Sequence, residues 1–94
     1  MTLSEFKQSI GGAQPPGDLA PALLALWHDA RSDWETAHQV AQDIDDATGA
    51  WIHAYLHRKE GDLANAGYWY RRAGCEPFVG SLASEWEALV QRFL

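Results

Sequence analysis

The segment WIHAYLHRKEGDLANAGYWYRRAG, residues 51–74, combines two histidines four residues apart with two basic pairs and several aromatic side chains. A related pattern precedes it in the chain. When LWHDARSDWETAHQVAQDI, residues 26–44, is aligned with YLHRKEGDLANAGYWYRRA, residues 55–73, both stretches share a histidine, an aspartate, a large apolar residue and an alanine. The matched pairs, at an offset of 29 residues, are His28 and His57, Asp33 and Asp62, Trp34 and Leu63, and Ala37 and Ala66. A repeat of this period is typical of stacked helical hairpins.

The matched aspartates predict where two helices begin. A carboxylate at the N-cap accepts hydrogen bonds from free backbone N–H groups and lies at the positive end of the helix dipole. Gly61 precedes Asp62 and suits the left-handed end of the preceding helix, and Ser32 takes that place in the first copy. The repeat therefore predicts two helical hairpins.

Helical periodicity covers most of the chain, and no stretch alternates like a strand. We expect one domain over residues 1–94, with a short N-terminal helix and linker at 1–17, hairpins at 18–46 and 47–74, and a capping helix at 81–94. Predicted helix starts are Thr2, in a capping box with Glu5, and Asp18, Asp33, Thr48, Asp62 and Ser81. The last helix carries the apolar stripe Leu82, Trp86, Leu89, Val90 and Phe93. The predicted fold class is all-α, with five to six helices.

The second hairpin resembles a tetratricopeptide (TPR) repeat. The residues that carry the resemblance are Ala54, Gly61, Asp62, Ala66, Tyr70 and Ala73; in the first copy only Ala25, Asp33 and Ala37 fit. The resemblance implies TPR-like stacked hairpins and a concave face that binds peptides. The spacing of 29 is shorter than the usual TPR period of about 34. The chain is also similar to small bacterial and fungal proteins that share WIHAYLHRxEGD…YWYRRAG, a family with no assigned activity.

Composition and charge exclude several classes of protein. A hydrophobic fraction of 47% with five tryptophans indicates a packed globular domain. A net charge of −6 disfavours a nucleic-acid binder, and no apolar run is long enough to span a membrane. The first residues, MTLSEFKQSI, do not resemble a signal peptide, and Cys75 has no partner for an internal disulfide. We therefore expect an acidic, cytoplasmic protein.

The histidines of the second hairpin have two interpretations. In the TPR register, His53 and His57 take core positions, while Trp51, Tyr55 and Arg58 face the concave groove. Simple amphipathicity predicts the reverse for the histidines, and a helix packed on two sides would satisfy both patterns. Tyr68 and Arg72, one turn apart, add a possible anion site. The candidate ligand-binding residues are thus Trp51, His53, Tyr55, His57, Arg58, Tyr68 and Arg72.

A metal site is the competing interpretation of the same helix face. His53, His57 and Glu60 form a row at helical spacing, but no HExxH pattern is present, and the neighbouring Arg58 and Lys59 would repel a cation. Packed histidines near a helix C-terminus, where the helix dipole favours them, are the preferred explanation of the spacing. We therefore predict neither a bound metal nor any other cofactor.

The sequence favours a binding protein over an enzyme. Cys75 lacks a local nucleophile signature, and no glycine loop of the phosphate-binding kind is present. The first hypothesis is a module that binds an unidentified protein or peptide. The alternative is a small protein that binds an anionic ligand or a metal, or an enzyme, through His53, His57 and Arg58. We also predict a homodimer, because isologous dimers are the commonest assembly.

Overall fold

The computed structural model describes all residues from Met1 to Leu94 and contains six α-helices and no strand. The predicted all-α class is confirmed. The helices are α1 (Leu3–Ser9), α2 (Pro21–Ala30), α3 (Trp34–Gln42), α4 (Ala47–Glu60), α5 (Leu63–Ala73) and α6 (Leu82–Phe93). No helix has the combination of length and apolar character that crossing a bilayer requires.

The repeat appears in the backbone as two equivalent turns. Asp33 caps α3 by accepting from the backbone N–H of Thr36 at 3.2 Å, and Asp62 caps α5 by accepting from Asn65 at the same distance. The residue before each cap is left-handed, with φ of 64° at Ser32 and 90° at Gly61. The predicted starts of α3 and α5 are therefore confirmed, as are the capping box at Thr2 and the Ser81 cap.

Two predicted caps are wrong. Asp18 has a φ of 61° and lies outside the helix; α2 begins at Pro21 after Ala20, because proline suits the first helical position. Asp46 caps α4 instead of Thr48, since its carboxylate accepts from two backbone N–H groups, at 2.9 and 3.3 Å. The turn before α4 is tight: a Cβ at Gly49 would overlap the carbonyl oxygen of Ile44.

Helix α4 is the central element. It packs against α2, α3, α5 and α6, and every residue from Ile52 to His57 is buried. Different neighbours cover the apolar face and the histidine face, so the exposure of His53 and His57 that simple amphipathicity predicts is wrong. His53 and His57 are 5% and 7% exposed.

One main core lies beneath α4. Four helices contribute large side chains to it, among them Phe6, Leu26, Trp27, Ile52, Tyr55, Leu56, Trp86, Leu89 and Val90. Trp86 donates its indole N–H to the carbonyl oxygen of Leu26 at 3.0 Å and packs 5.9 Å from Phe6, centroid to centroid. The apolar stripe of α6 thus closes the protein's own core, and the predicted homodimer stays a prediction.

The repeated caps make a testable contribution to stability. Asp33→Ala and Asp62→Ala each remove the acceptor for one free N–H group, and each is expected to lower the free energy of unfolding by about 0.5–2 kcal/mol. Urea denaturation measures this. Glu76→Ala is the charge-matched control, because Glu76 is exposed in a loop and makes no hydrogen bond. Equal stability of the control and both cap variants would contradict the assignment.

Candidate metal centre

Three histidine side chains meet where α3 packs against α4. His38 lies on α3, and His53 and His57 lie one turn apart on α4. Each ring contributes one nitrogen to a group of three nitrogens that all lie within 4.8 Å of one another. The Nε2 atoms of His38 and His53 are 2.8 Å apart. His53 and His57 are buried, and His38 is half-buried. Imidazole nitrogens grouped in this way are a donor set that suits zinc and neighbouring transition metals.

Tryptophan rings hold two of the histidines in place. The indole of Trp34 stacks on His38 at 4.8 Å between centroids, and the indole of Trp69 stacks on His53 at 4.0 Å with only 6° between the planes. Trp34 is itself anchored, because its indole N–H donates to the carbonyl oxygen of Leu56 at 2.8 Å. The ring planes are thus fixed by packing before any ligand binds.

His57 is oriented by a carboxylate. Its Nδ1 lies 2.6 Å from Glu60 Oε1, and since a carboxylate only accepts, Nδ1 carries the proton. The other nitrogen, Nε2, then keeps its lone pair. Its remaining neighbour is the Asn65 amide nitrogen, a weak donor at 3.4 Å. A carboxylate that orients an imidazole through the far nitrogen is the usual outer partner of a metal-binding histidine.

The electrostatics keep two of the imidazoles neutral. The pKa of His53 is lowered to about 4, mainly by burial and secondly by the positive charge that the neighbouring histidines would carry. The pKa of His38 is also lowered, first by burial and then by His57, with Glu60 opposing. Neutral imidazole is the form that binds a metal, so protons do not compete for these two rings at neutral pH.

The histidines form part of the wall of a cavity of 640 Å³. The cavity is open to solvent, and its lining also includes Asp45, Tyr68 and Arg72. Four of the predicted ligand-binding residues therefore share one cavity: His53, His57, Tyr68 and Arg72. A group bound by the histidines would have room for further ligands on this side.

The other three predicted residues lie elsewhere. Trp51, Tyr55 and Arg58 face α2 and α6, where they bind two buried carboxylates. Arg58 pairs with Glu85 at 2.9 Å, and the Trp51 indole N–H donates to the same carboxylate at 3.2 Å. The structure therefore does not bring these three side chains together with the histidines.

Tyrosine hydroxyls complete both carboxylate networks. The Tyr70 O–H donates to Glu85 at 2.5 Å, and the Tyr55 O–H donates to Asp29 at 2.6 Å, where Lys59 adds an ion pair at 2.9 Å. Burial, together with the adjacent carboxylate, raises the pKa of each tyrosine well above its usual range. Both hydroxyls therefore remain donors, and no buried side-chain polar atom lacks a partner.

These pairs remove one objection to a metal. The sequence places Arg58 and Lys59 next to His57, where free cations would repel a divalent ion. Both cations are paired with carboxylates that are less than 2% exposed, on the opposite side of α4. The electric field of each cation at the histidine cavity is therefore largely cancelled by the field of its paired carboxylate.

His38 is the member of the cluster that sequence reasoning missed. It lies on a different helix, 15 residues before His53, and its own hairpin copy shows no second histidine at helical spacing. The available signal was Trp34 four residues earlier, on the same helix face as His38. Only the packing of α3 on α4 brings the third imidazole to the other two.

Cys75 does not add a reactive group. It is exposed in the loop after α5, and partial burial of its sulfur together with Glu85 and Glu76 raises the pKa of its thiol. A thiol with a raised pKa is a weaker nucleophile at neutral pH because less thiolate is present. This agrees with the sequence-based expectation.

Comparison with protein-family models, curated proteins and solved structures finds no match to this chain. The TPR resemblance accordingly stays a prediction.

The buried ion pair can be tested through Arg58. Arg58→Ala leaves the carboxylate of Glu85 without its cation, and the free energy of unfolding is expected to fall by about 3 kcal/mol. Arg71→Ala is the matched control, since Arg71 is exposed and forms no ion pair. If both variants unfold at the same urea concentration as the wild type, Arg58 has no structural role.

The neutral histidines predict acid sensitivity of the metal-free protein. Because the native pKa of His53 is about 4 and that of an unfolded histidine is about 6.5, the unfolded chain binds the extra proton first as the pH falls. Stability is therefore full above pH 6.5 and is lost as the pH falls toward 4. Between pH 7 and pH 5 the loss is expected to be about 1–2 kcal/mol.

Urea denaturation in the presence of a chelator, at several pH values, measures this loss. His53→Gln is expected to reduce the pH dependence, because it removes the buried titrating ring. His28→Gln is the control: His28 is the repeat counterpart of His57 but lies outside the cluster. An unchanged slope in His53→Gln would show that other groups cause the acid sensitivity.

Proposed function

We propose that the protein binds one divalent transition-metal ion through His38, His53 and His57. The observation that carries the proposal is the convergence of three imidazole nitrogens within 4.8 Å. Zinc bound at about 2.0–2.1 Å in a tetrahedral site holds its nitrogen ligands about 3.3 Å apart. Small rotations about the side-chain torsions would bring the three nitrogens to that spacing.

Metal binding requires one change in the His38–His53 pair. At 2.8 Å the two Nε2 atoms share one proton in a hydrogen bond. A metal needs both lone pairs, so the ring that carries the proton on Nε2 must hold it on Nδ1 instead. Because both rings are neutral, this is a change of tautomer and no net charge is lost.

The surroundings support a metal more than a purely structural role. Glu60 fixes the tautomer of His57, and two tryptophan planes fix the other two rings. A second group, His57 with Glu60 and Asp62, fits a metal less well, because both carboxylates are exposed and Asp62 caps α5. We therefore assign Glu60 as an outer partner.

Three protein ligands leave one position of a tetrahedral ion open. Zinc sites with three protein ligands and a free position are those in which water or a substrate binds the metal. Here the free position would face the solvent-open cavity, so the ion could hold an external ligand.

The interaction-module hypothesis stays a prediction. A peptide groove built from Trp51, Tyr55 and Arg58 would need these side chains to be accessible. Tyr55 is only 2% exposed, and Arg58 is already bound to Glu85. The geometry therefore favours the alternative hypothesis, ligand binding by the histidines of α4.

Titration of the chelator-treated protein with Zn²⁺ or Co²⁺ tests the proposal. We expect one ion per chain and, for Co²⁺, the intense visible bands of a tetrahedral site. His38→Gln, His53→Gln and His57→Gln should each abolish or strongly weaken binding, whereas His28→Gln should bind as the wild type does. Glu60→Gln should weaken binding by about 10–100-fold, as loss of an outer partner does.

Calorimetric titration of a folded wild-type protein that takes up no ion would refute the metal site. Equal loss of affinity in His28→Gln and His38→Gln would also refute it, because His28 cannot reach the cluster. Circular dichroism of each variant shows whether the helices are retained.

A further inference from the structure

Arg72 lines the same cavity as the three histidines and has no carboxylate partner. Its only polar contact is a hydrogen bond to the Tyr68 hydroxyl oxygen at 3.2 Å. A guanidinium carries five N–H donors in a planar fork that matches a carboxylate. Most of that donor capacity is therefore free for a ligand, and the Tyr68 O–H supplies one more donor beside it.

Arg72 packs on the ring of Trp69, the same ring that stacks on His53. Its guanidinium carbon lies 5.2 Å from the centroid of the Trp69 ring, and Trp69 stacks on His53 at 4.0 Å. The guanidinium is thus no more than about 9 Å from the centre of the His53 ring, within reach of one short extended ligand. An ion held by the histidines and the guanidinium of Arg72 would therefore be two anion-binding points on the wall of one cavity.

The charges of the cavity make anion binding depend on the metal. Apart from the histidines, the lining carries Asp45 and Asp46 against Arg72, a formal charge of −1 that attracts a cation. A divalent ion changes this to +1, which attracts an anion. Asp46 is in addition committed to capping α4, and Asp45 makes no hydrogen bond or ion pair.

We propose, on the basis of the metal site proposed above, that the metal-loaded cavity binds a short dicarboxylate. One carboxylate occupies the open position of the ion, and the other receives the Arg72 fork and the Tyr68 hydroxyl. Metal-free protein does not bind the dicarboxylate, because Asp45 and Asp46 then dominate the cavity. A monocarboxylate of equal length makes only the metal contact and binds less tightly.

Calorimetric titration of zinc-loaded protein with succinate and with butyrate tests this pairing. We expect the affinity for succinate to be at least about tenfold higher than that for butyrate, because a pair of charge-assisted hydrogen bonds near the surface contributes about that much. Arg72→Gln should remove most of the preference for succinate over butyrate, while zinc is still bound. Arg71→Gln, on the same helix but outside the cavity lining, is the matched control and should behave as the wild type does.

The cobalt spectrum separates the two proposals. A shift of the visible bands on adding succinate is expected if a carboxylate enters the coordination shell. A tetrahedral cobalt spectrum with equal succinate affinity in the wild type and Arg72→Gln would overturn the dicarboxylate and leave the metal site standing. Equal succinate binding by metal-free and zinc-loaded protein would overturn it as well. Absence of any cobalt or zinc binding would overturn both.

Discussion

Burial of the middle of α4, from Ile52 to His57, is the constraint on which the rest of the structure depends. Polar side chains in that stretch are largely withdrawn from water, so each one needs a partner inside the protein. The partners come from two directions. On the side of α2 and α6 they are Asp29 and Glu85, and on the side of α3 and α5 they are His38, Trp69 and Asn65.

The two sides solve the burial problem differently. On the carboxylate side full charges are buried, and each is balanced by a cation and a tyrosine hydroxyl. On the histidine side His38 and His53 stay neutral, and stacking on tryptophan rings holds them. A buried pair that is already balanced offers little to an external ligand, because binding would break contacts that removal of one partner makes costly. The imidazoles lie beside an open cavity, and a metal would replace only the hydrogen bond between His38 and His53 and the 3.4 Å contact of Asn65 with His57, without leaving a buried charge unpaired.

Much of the fold could be predicted from the sequence, because its signals are local. The caps Asp33, Asp62 and Ser81 act within one turn, and helical periodicity is visible over each helix separately. The predicted start of α4 is wrong because Asp46 and Thr48 are both good caps, and local sequence does not decide between them. Only part of the candidate site could be predicted from the sequence. His53 and His57 are one turn apart in one helix, whereas His38 joins them through packing between helices.

The repeat separates residues that build the fold from residues that build the site. Positions conserved between its two copies, such as Asp33 with Asp62 and Ala37 with Ala66, are caps and small core residues. The cavity, in contrast, is lined by positions at which the copies differ. At the offset of 29, Tyr68, Trp69 and Arg72 correspond to Gln39, Val40 and Asp43, and His53 corresponds to Leu24.

His57 is the exception, because it lines the cavity although the other copy of the repeat also has a histidine, His28, at this position. Its counterpart His28 has the same place before the same kind of turn, yet it packs edge-on against Trp27 and lies outside the metal-competent group. The difference arises from the neighbours: His57 has Glu60 three residues later, where the first copy has Arg31. A carboxylate there can orient the ring for metal binding, while a guanidinium cannot accept its proton. Of the two repeated histidines only His57 is therefore a candidate ligand, because its neighbours differ from those of His28 while both follow the same helical scaffold.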